Sequence, residues 1–510
     1  MDTGDDRWYR DAVIYEVAVR TFADESGDGV GDFRGLTRRL DYLVGLGVTA
    51  IWLLPFQPSP WRDDGYDITD YYGVDSAFGD LGDFVRFVEH ADDRGLRVLI
   101  DLVLNHTSNE HPWFQAALRD TTSPYRAWYR WSPTKPDEKG PWGQDVWYKS
   151  PVRDEYYYAV FWSGMPDLNY ETPAVRAEVK KIARYWLKEM GVDGFRLDAV
   201  PFLMEDHGKL AGSPGTHALL HEYARYVHAQ RKDAFTVGEV YDSLGTMLTY
   251  YPDQLDSYFA FEVADSIIAA ARNGSARGLL APLLRLQRAM PNDRWSPFLR
   301  NHDQPRTMTE LGGDMGKATA AAFVLLTLPG VPFIYYGEEI GMIGAKPDER
   351  LRTPMQWSRG HADGFTTGTP WEALQADSAT TTVEAEDSDS TSLLNVNRRL
   401  IHLRSRLPAL GSGILAPAHA NVEGVAAYVR RQGEQRLLVL VNLTNEPVSV
   451  AVTVDDSVVP RARWTARSLS GAYALDPAPR NADAHVSTFA LREPLGPYEG
   501  RIFELVQSRR

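Results

Sequence analysis

Short runs of branched and aromatic residues recur along this chain, separated by segments of helical periodicity, and few folds accept that alternation. The runs are Val13–Val19, Thr49–Leu54, Arg97–Leu104, Gly194–Val200, Phe235–Val240, Trp295–Leu299 and Val331–Tyr336, and a weaker one at Ser257–Phe261 brings the number to eight. Strand, helix and strand in that order predict a parallel βα unit. Eight such units close into an α/β fold, the (β/α)8 TIM barrel, whose chemistry sits at the C-terminal ends of its strands. The early helices are readable at Leu36–Leu46, stopped by Gly47, and at Phe84–Asp93, stopped near Gly95.

A barrel of this kind needs about 250 residues, and the chain has 510. Part of the surplus follows the third run. Residues 107–175 carry Trp113, Trp128, Trp131, Trp142, Trp147, Trp162 and many tyrosines with little helical period, which predicts a subdomain inserted after strand 3 and overhanging the active face. The rest lies at the end. Beyond Gly411 the pattern turns to apolar/polar alternation with turn signals (Gly424–Val429, Arg436–Val441, Val448–Val454, Gly500–Val506), which predicts a C-terminal antiparallel β-sandwich. The expected division is therefore a barrel from 1–106 and 176–411, an insertion at 107–175 and a sandwich at 412–510. The acidic, Ser/Thr-rich stretch Asp377–Ser392 reads as an exposed loop before a helix at Leu393–Arg404. Ala320–Tyr336, the longest apolar run, contains Pro329 and Pro332 and falls short of the roughly 20 apolar residues of a membrane span; it reads as a buried helix and then a buried strand.

Charge and composition remove whole classes of partner. With 69 acidic against 54 basic residues the net charge is -15, which opposes nucleic acid or an anionic membrane as main partner and suits a neutral or cationic ligand or a metal. Zero cysteines exclude disulfides, thiolate catalysis and thiolate metal sites. The first residues, MDTGDDRWYR, are acidic where a secretory signal needs a basic start and an apolar stretch, so the expected location is cytoplasmic. Oligomeric state is not legible.

Four clusters end predicted strands: DLVLNH at Asp101–His106, GFRLDAV at Gly194–Val200, VGEV around Glu239 and LRNHD ending at Asp303. A single acid in such a place caps a helix or pairs with an arginine. Barrel strands converge, however, so Asp198, Glu239 and Asp303 can meet over one ligand. Several carboxylates around a neutral substrate suit glycoside chemistry, in which one acts as an anion at an oxocarbenium-like carbon and another donates a proton to the leaving oxygen. Arg196, two residues before Asp198 and on the same strand face, can keep that carboxylate ionised and aimed. Glu239 follows apolar Phe235 and Val237, and burial would raise its proton affinity as a general acid requires. His106 and His302 supply donors for sugar hydroxyls.

With these residues in view, the chain resembles the α-amylase superfamily, glycoside hydrolase family 13, over essentially its whole length. The four clusters occur in the family's order, together with MPDLN at Met165–Asn169. The resemblance implies the barrel, insertion and sandwich already read from the pattern. It also implies roles: Asp198 as nucleophile of a retaining reaction, Glu239 as acid and then base, and Asp303 as the third carboxylate binding sugar hydroxyls. Arg196, His106 and His302 accompany them around the attacked sugar. Tyr66 and Asp67, within DGYD at Asp64–Asp67, resemble the stacking platform and a supporting acid.

Two further stretches resemble the oligo-1,6-glucosidase branch. In Asp24–Asp32 (DESGDGVGD) oxygen donors alternate with glycines, a pattern suited to a hard cation; the resemblance implies structural calcium held by Asp24, Ser26, Asp28, the Val30 carbonyl and Asp32, with no organic cofactor. In Arg350–Trp357 (RLRTPMQW) the resemblance pairs Arg352 with Asp64 across the non-reducing end of the sugar pocket. A pocket closed there favours a terminal glucose and short substrates. Ala199 after the nucleophile, where α-1,6-specific relatives carry Val, leans towards α-1,4-glucosides. The expected activity is thus a retaining α-glucosidase or small-substrate α-amylase acting on α-glucosides or malto-oligosaccharides, with transglucosylation within its range. The alternative is a maltose–trehalose isomerase of the trehalose synthase type, suggested by NHTSNEHPWF, LDAVPFL and LGPYEGRIFEL but opposed by Gln304-Pro305-Arg306 after NHD and by MPDLN. A non-catalytic relative is a remote third reading, since all three carboxylates are present.

Overall fold

The computed structural model describes residues 7–206, 208–377, 380–460, 464–471, 473–477 and 486–507. All eight expected strands form: β1 Ile14–Val17, β2 Ala50–Leu53, β3 Arg97–Leu102, β4 Gly194–Leu197, β5 Phe235–Gly238, β6 Ser257–Phe259, β7 Trp295–Ser296 and β8 Phe333–Tyr335. They run β7-β6-β5-β4-β3-β2-β1-β8, and every pairing is parallel. The Phe333 amide donates to the Pro297 carbonyl at 2.9 Å and the Val331 amide to Trp295 at 3.0 Å, which joins the two ends into a barrel. β7 is shorter than the expected Trp295–Leu299, so His302 and Asp303 stand on the loop beyond it.

The two-residue period of the strands separates two hydrophobic sets. Ile14, Ala50, Trp52, Leu99, Phe235, Val237, Phe259 and Phe333 fill the barrel interior. Tyr15, Val17, Ile51, Leu53 and Ile100 face the surrounding helices. The same alternation points Glu16, Asp101 and Arg196 inward near the strand ends, each 2 % exposed or less. They form the floor of the site.

Helices depart from expectation where capping decides. The segment expected as Leu36–Leu46 begins earlier, at Phe33, because Asp32 caps the first turn by accepting from the Gly35 amide, and it divides at Arg39 into Phe33–Arg38 and Leu40–Leu46. The next helix begins at Leu81, set by a capping box of Asp80 and Asp83. The Ala320–Tyr336 run is, as expected, a buried helix (Met315–Thr327) leading into β8.

Between β3 and β4 the chain forms a helix, Pro112–Arg119, and a three-stranded antiparallel sheet of Trp131–Ser132, Tyr156–Tyr158 and Trp147–Lys149. The helix escaped the periodicity because it is short, but Pro112 in its first turn and the His111 ring accepting from the Trp113 amide mark its start. The stretch expected as an exposed loop at 377–392 is also corrected. Val383–Asp387 is helical, with Thr382 as its cap, and Thr381, Thr382 and Glu386 are buried; Ser378 and Ala379 lie outside the described residues. Glu386 accepts from the Leu394 amide and so fastens this stretch to the helix Leu393–Arg406.

The last strands form an antiparallel sheet of eight. Residues 414–417 of its first strand, Ile414–Ala420, pair with Val425–Gln432, and residues 418–420 pair with Ala451–Asp455. This one strand therefore passes from one layer to the other, over a common core that includes Val429, Leu438, Val452, Phe489 and Phe503. Two buried arginines meet at the junction of sandwich and barrel, where Arg430 crosses from the sandwich and Arg404 braces the barrel side. Arg430 donates to the carbonyls of Thr327, Gly411 and Gly413, and Arg404 to those of Leu326, Leu328 and Gly330. Among the described residues no helix is long and apolar enough to cross a membrane.

Candidate active site

β4 delivers Arg196 inward and ends one residue before Asp198, while β5 ends one residue before Glu239. The Arg196 guanidinium, 1 % exposed, organises both. One nitrogen donates to Asp198 Oδ1 at 2.6 Å and to Asp101 Oδ1 at 3.0 Å, and the other to Glu239 Oε2 at 2.7 Å. Ala199 follows with φ 48°, a left-handed backbone that disfavours branched side chains, and its amide faces Glu239 Oε2 at 3.4 Å. Asp198 and Glu239 keep 12 % and 23 % of their side chains open to the cavity. Burial, then the nearby Asp198 and Asp303, push the Glu239 carboxyl up to about 7 against the pull of Arg196. Glu239 thus holds its proton where an ordinary glutamate has lost it.

Asp303 belongs to a second network. Arg352 donates to Asp303 Oδ1 at 2.9 Å, to Asp64 Oδ2 at 2.8 Å and to the His302 carbonyl at 3.1 Å. The pairing of Arg352 with Asp64 expected from the sequence is therefore present, and it reaches the third carboxylate as well. Against the penalty of burial, His302, Arg352 and Arg196 hold Asp303 below the ordinary carboxylate range. The Tyr66 hydroxyl lies 2.9 Å from Asp101 Oδ2 and 2.7 Å from His302 Nε2, its ring nearly parallel to the imidazole. The His106 ring, buried and held neutral by that burial, meets the Tyr66 carbonyl at 3.3 Å. Asp67 accepts from the Ser59 hydroxyl and the Arg62 and Asp63 amides, steadying the turn that carries Tyr66.

Asp198, Glu239, Asp303, Tyr66, His106 and Arg352 line one cavity of about 410 Å³. Other loops complete its lining: Trp142 and Phe161 of the insertion, Phe202 after β4 and Tyr241 after β5. The Trp142 ring stacks on Phe161 with centroids 5.8 Å apart, and Tyr241 leans on Phe261 at 4.4 Å. Their outer faces are bare, Trp142 being 63 % and Tyr241 67 % exposed.

The Asp24–Asp32 loop lies apart from this cavity. Asp24 accepts from the Ser26 hydroxyl, the Gly27 and Gly29 amides and the Thr366 hydroxyl, and Asp32 from the Glu25, Ser26 and Gly35 amides. Asp28 accepts from the Val30 amide. Hard oxygen donors suit calcium, but here internal donors engage them, and among the described residues no three acidic or histidine side chains stand together as a metal site. Gly29 (φ +97°) is required because a Cβ would meet the Thr369 carbonyl.

Besides the aromatic lining of Trp142, Phe161, Phe202 and Tyr241, three acids of the site are not among the candidates. Asp101 was quoted only as the start of a motif, yet it ties Arg196 to Tyr66. Glu16 stands behind His302, and Asp63, pushed up to about 6 by burial and by Asp67, lines the cavity. An acid in an otherwise apolar strand was the available signal for Glu16.

Residues 16–413 match the α-amylase catalytic-domain family. The chain is 38% identical to α-amylase 3 of Dictyoglomus thermophilum over 86% of its own length and 85% of that protein's. It is 37% identical to the trehalose synthase/amylase TreS of Mycobacterium tuberculosis, over 84% and 80% respectively. The crystal structure of the α-amylase from H. orenii superposes with a TM-score of 0.84 at 38% identity, covering 97% of this chain and 99% of that one.

Proposed function

The chain belongs to the α-amylase family of glycoside hydrolases, and from that premise we propose that it is a retaining α-glucosidase or small-substrate α-amylase with α-1,4 preference, able to pass glucose to other sugars. One observation carries the reading. A single guanidinium touches both Asp198 and Glu239, which favours the closely spaced carboxyl pair of retaining enzymes, about 5–5.5 Å apart, over the ~6.5–9.5 Å of inverting ones.

In the proposed reaction the glucosyl unit lies against Tyr66 with its non-reducing end at the Asp64–Arg352 pair. Asp198 attacks C1 while Glu239 gives its proton to the leaving glycosidic oxygen; the C1–O bond breaks and a β-glucosyl ester on Asp198 forms. Glu239, now a carboxylate, takes a proton from water or a sugar hydroxyl. That oxygen attacks C1 and Asp198 leaves. Asp303 and Arg352 hold the sugar hydroxyls, and Asp303 binds more tightly as the ring flattens. The volume is that of a small-ligand pocket, which supports short substrates. Calcium at the Asp24–Asp32 loop is proposed as a peripheral stabiliser with no part in bond exchange.

A time course with maltose, resolving glucose, trehalose and longer glucosides, tests this reading. Glucose as the main product, with added oligosaccharides, is expected. Trehalose as the main product would replace it with the isomerase, which must exclude water from the glucosyl ester; the bare rings of Trp142 and Tyr241 at the rim favour an open acceptor side instead.

A further inference from the structure

Glu16 is a buried carboxyl that the reaction above does not use. It is 2 % exposed, points into the barrel from β1, and lies between Trp52 of β2 and Tyr335 of β8 in register. Its Oε1 lies 2.6 Å from His302 Nδ1 and 3.2 Å from the His302 amide. Trp52 packs edge-on to the same imidazole at 5.6 Å. The ring is thus clamped from below, and its Nε2 faces upward to Tyr66 Oη at 2.7 Å and Asp303 Oδ2 at 3.3 Å.

Counting protons decides what Glu16 does. The Tyr66 hydroxyl has one proton and two neighbours, and Asp101, an acceptor held by Arg196, lies 2.9 Å away. If that proton goes to Asp101, Tyr66 accepts from His302, so Nε2 must carry hydrogen. A bare Nε2 would instead turn a lone pair towards the Asp303 carboxylate. Nε2–H satisfies both neighbours. Nδ1 then has no proton of its own in a neutral ring, and a bare carboxylate at 2.6 Å would oppose its lone pair; a proton between Glu16 and Nδ1 removes the conflict. We propose that Glu16 is the positioning residue of His302, holding a proton against Nδ1 so that Nε2 keeps its N–H turned towards Tyr66 and Asp303, the two neighbours that line the cavity. Burial acts in the same sense, pushing Glu16 up and the imidazole down, so that neither group gains by standing charged alone. The charged or titratable groups facing the pair are Asp303, Arg196, Asp101, Tyr66, Tyr335, Arg352 and, farther out, Lys346. In catalytic triads an ionised carboxylate accepts the Nδ1 proton and leaves Nε2 bare; a protonated Glu16 in the same place donates to Nδ1 and selects the opposite tautomer.

The test is nitrogen NMR of the full-length protein labelled at histidine, with the His302 signals assigned by their loss in His302→Gln. The expected spectrum shows Nε2 protonated and Nδ1 hydrogen-bonded between pH 6 and 8; a bare Nε2 overturns the proposal. Glu16→Leu is expected to leave Nδ1 unpartnered and to lower kcat by about 10–100-fold, with KM shifted less than about threefold. Glu16→Gln, whose amide donates to Nδ1, is expected to restore the Nδ1 signal and most of kcat. Unchanged spectra and kcat in Glu16→Leu would also overturn it. If that variant does not fold, the spectra of wild type and Glu16→Gln decide alone. The kinetic arm rests on the glycosidase reading, whereas the spectra do not, so the two fail separately.

Discussion

In one part of the site Asp64, Arg352, Asp303, Tyr66 and His302 are joined by contacts of 2.7 to 3.3 Å, whereas in another Trp142 and Tyr241 present bare rings backed by Phe161, Phe202 and Phe261. The first part is polar, buried and fixed by partners on β1, β3 and three loops. The second is apolar, mostly exposed and assembled from the insertion and two βα loops. Fixed donors and acceptors reject any group that leaves them unpaired, while an aromatic face accepts many sugars through one kind of contact. On the proposed function, strictness for the glucosyl unit and tolerance for its partner are the expected outcome of the same cavity.

The largest effect is expected at the bond-exchange pair that both parts serve. Asp198→Asn removes the nucleophile and should lower turnover of maltose by about 10⁴-fold or more; near-normal turnover would refute the assignment. Glu239→Gln is expected to cost about 10²–10⁴-fold. The proton that Glu239 must donate is lost as pH rises through about 7, so the wild-type rate should fall above that pH, and the fall should vanish in Glu239→Gln assayed with a leaving group that needs no proton. The same shift has a stability signature. Its affinity for the proton is greater folded than unfolded, so wild-type stability falls as pH rises from about 4.5 to about 7. The gap in Tm between Glu239→Gln and wild type should therefore widen from pH 5 to pH 8.

Breaking the strict part comes next. Arg352→Ala leaves Asp64 and Asp303 without their shared cation and should reduce kcat/KM by on the order of 10²-fold, with the preference for short substrates relaxed towards longer chains. In the tolerant part Trp142→Ala should lower kcat/KM only about 2–12-fold, raise hydrolysis relative to transfer, and leave Tm unchanged; a loss as large as that of Arg352→Ala would erase the contrast. The smallest effect is expected from calcium. Because the Asp24–Asp32 loop lies apart from the cavity, adding calcium should raise Tm by about 2–4 °C and leave the turnover of maltose unchanged, and an unmoved Tm would remove the ion from the loop.

The barrel was legible because its strands are buried on both faces and stand out as apolar runs, and the acids Asp198 and Glu239 follow directly at their ends. Asp303 was legible by motif rather than by strand, since β7 stops at Ser296. What escaped was set by partners distant in sequence. Glu16 acquires its place only from His302, 286 residues away, and Glu386 is buried in a stretch whose composition reads as solvent-facing because Leu394 and the following helix cover it. The helix Pro112–Arg119 was hidden because it is too short to show a period, although His111 and Pro112 mark its start.

The two buried arginines at the barrel–sandwich junction constrain how the gene can be cut. Arg430 lies in the sandwich yet donates to Thr327, at the end of the helix before β8, while the barrel-side Arg404 donates to the turn just after it. A chain ended near 411 would strip Arg430 from that seam and open the carbonyl of Thr327 and the apolar surface around it to water. For protein engineers the sandwich is therefore no detachable tag: a chimera that exchanges it must bring its own guanidinium to that seam, and the strand that closes the barrel is the element that would register a poor graft first.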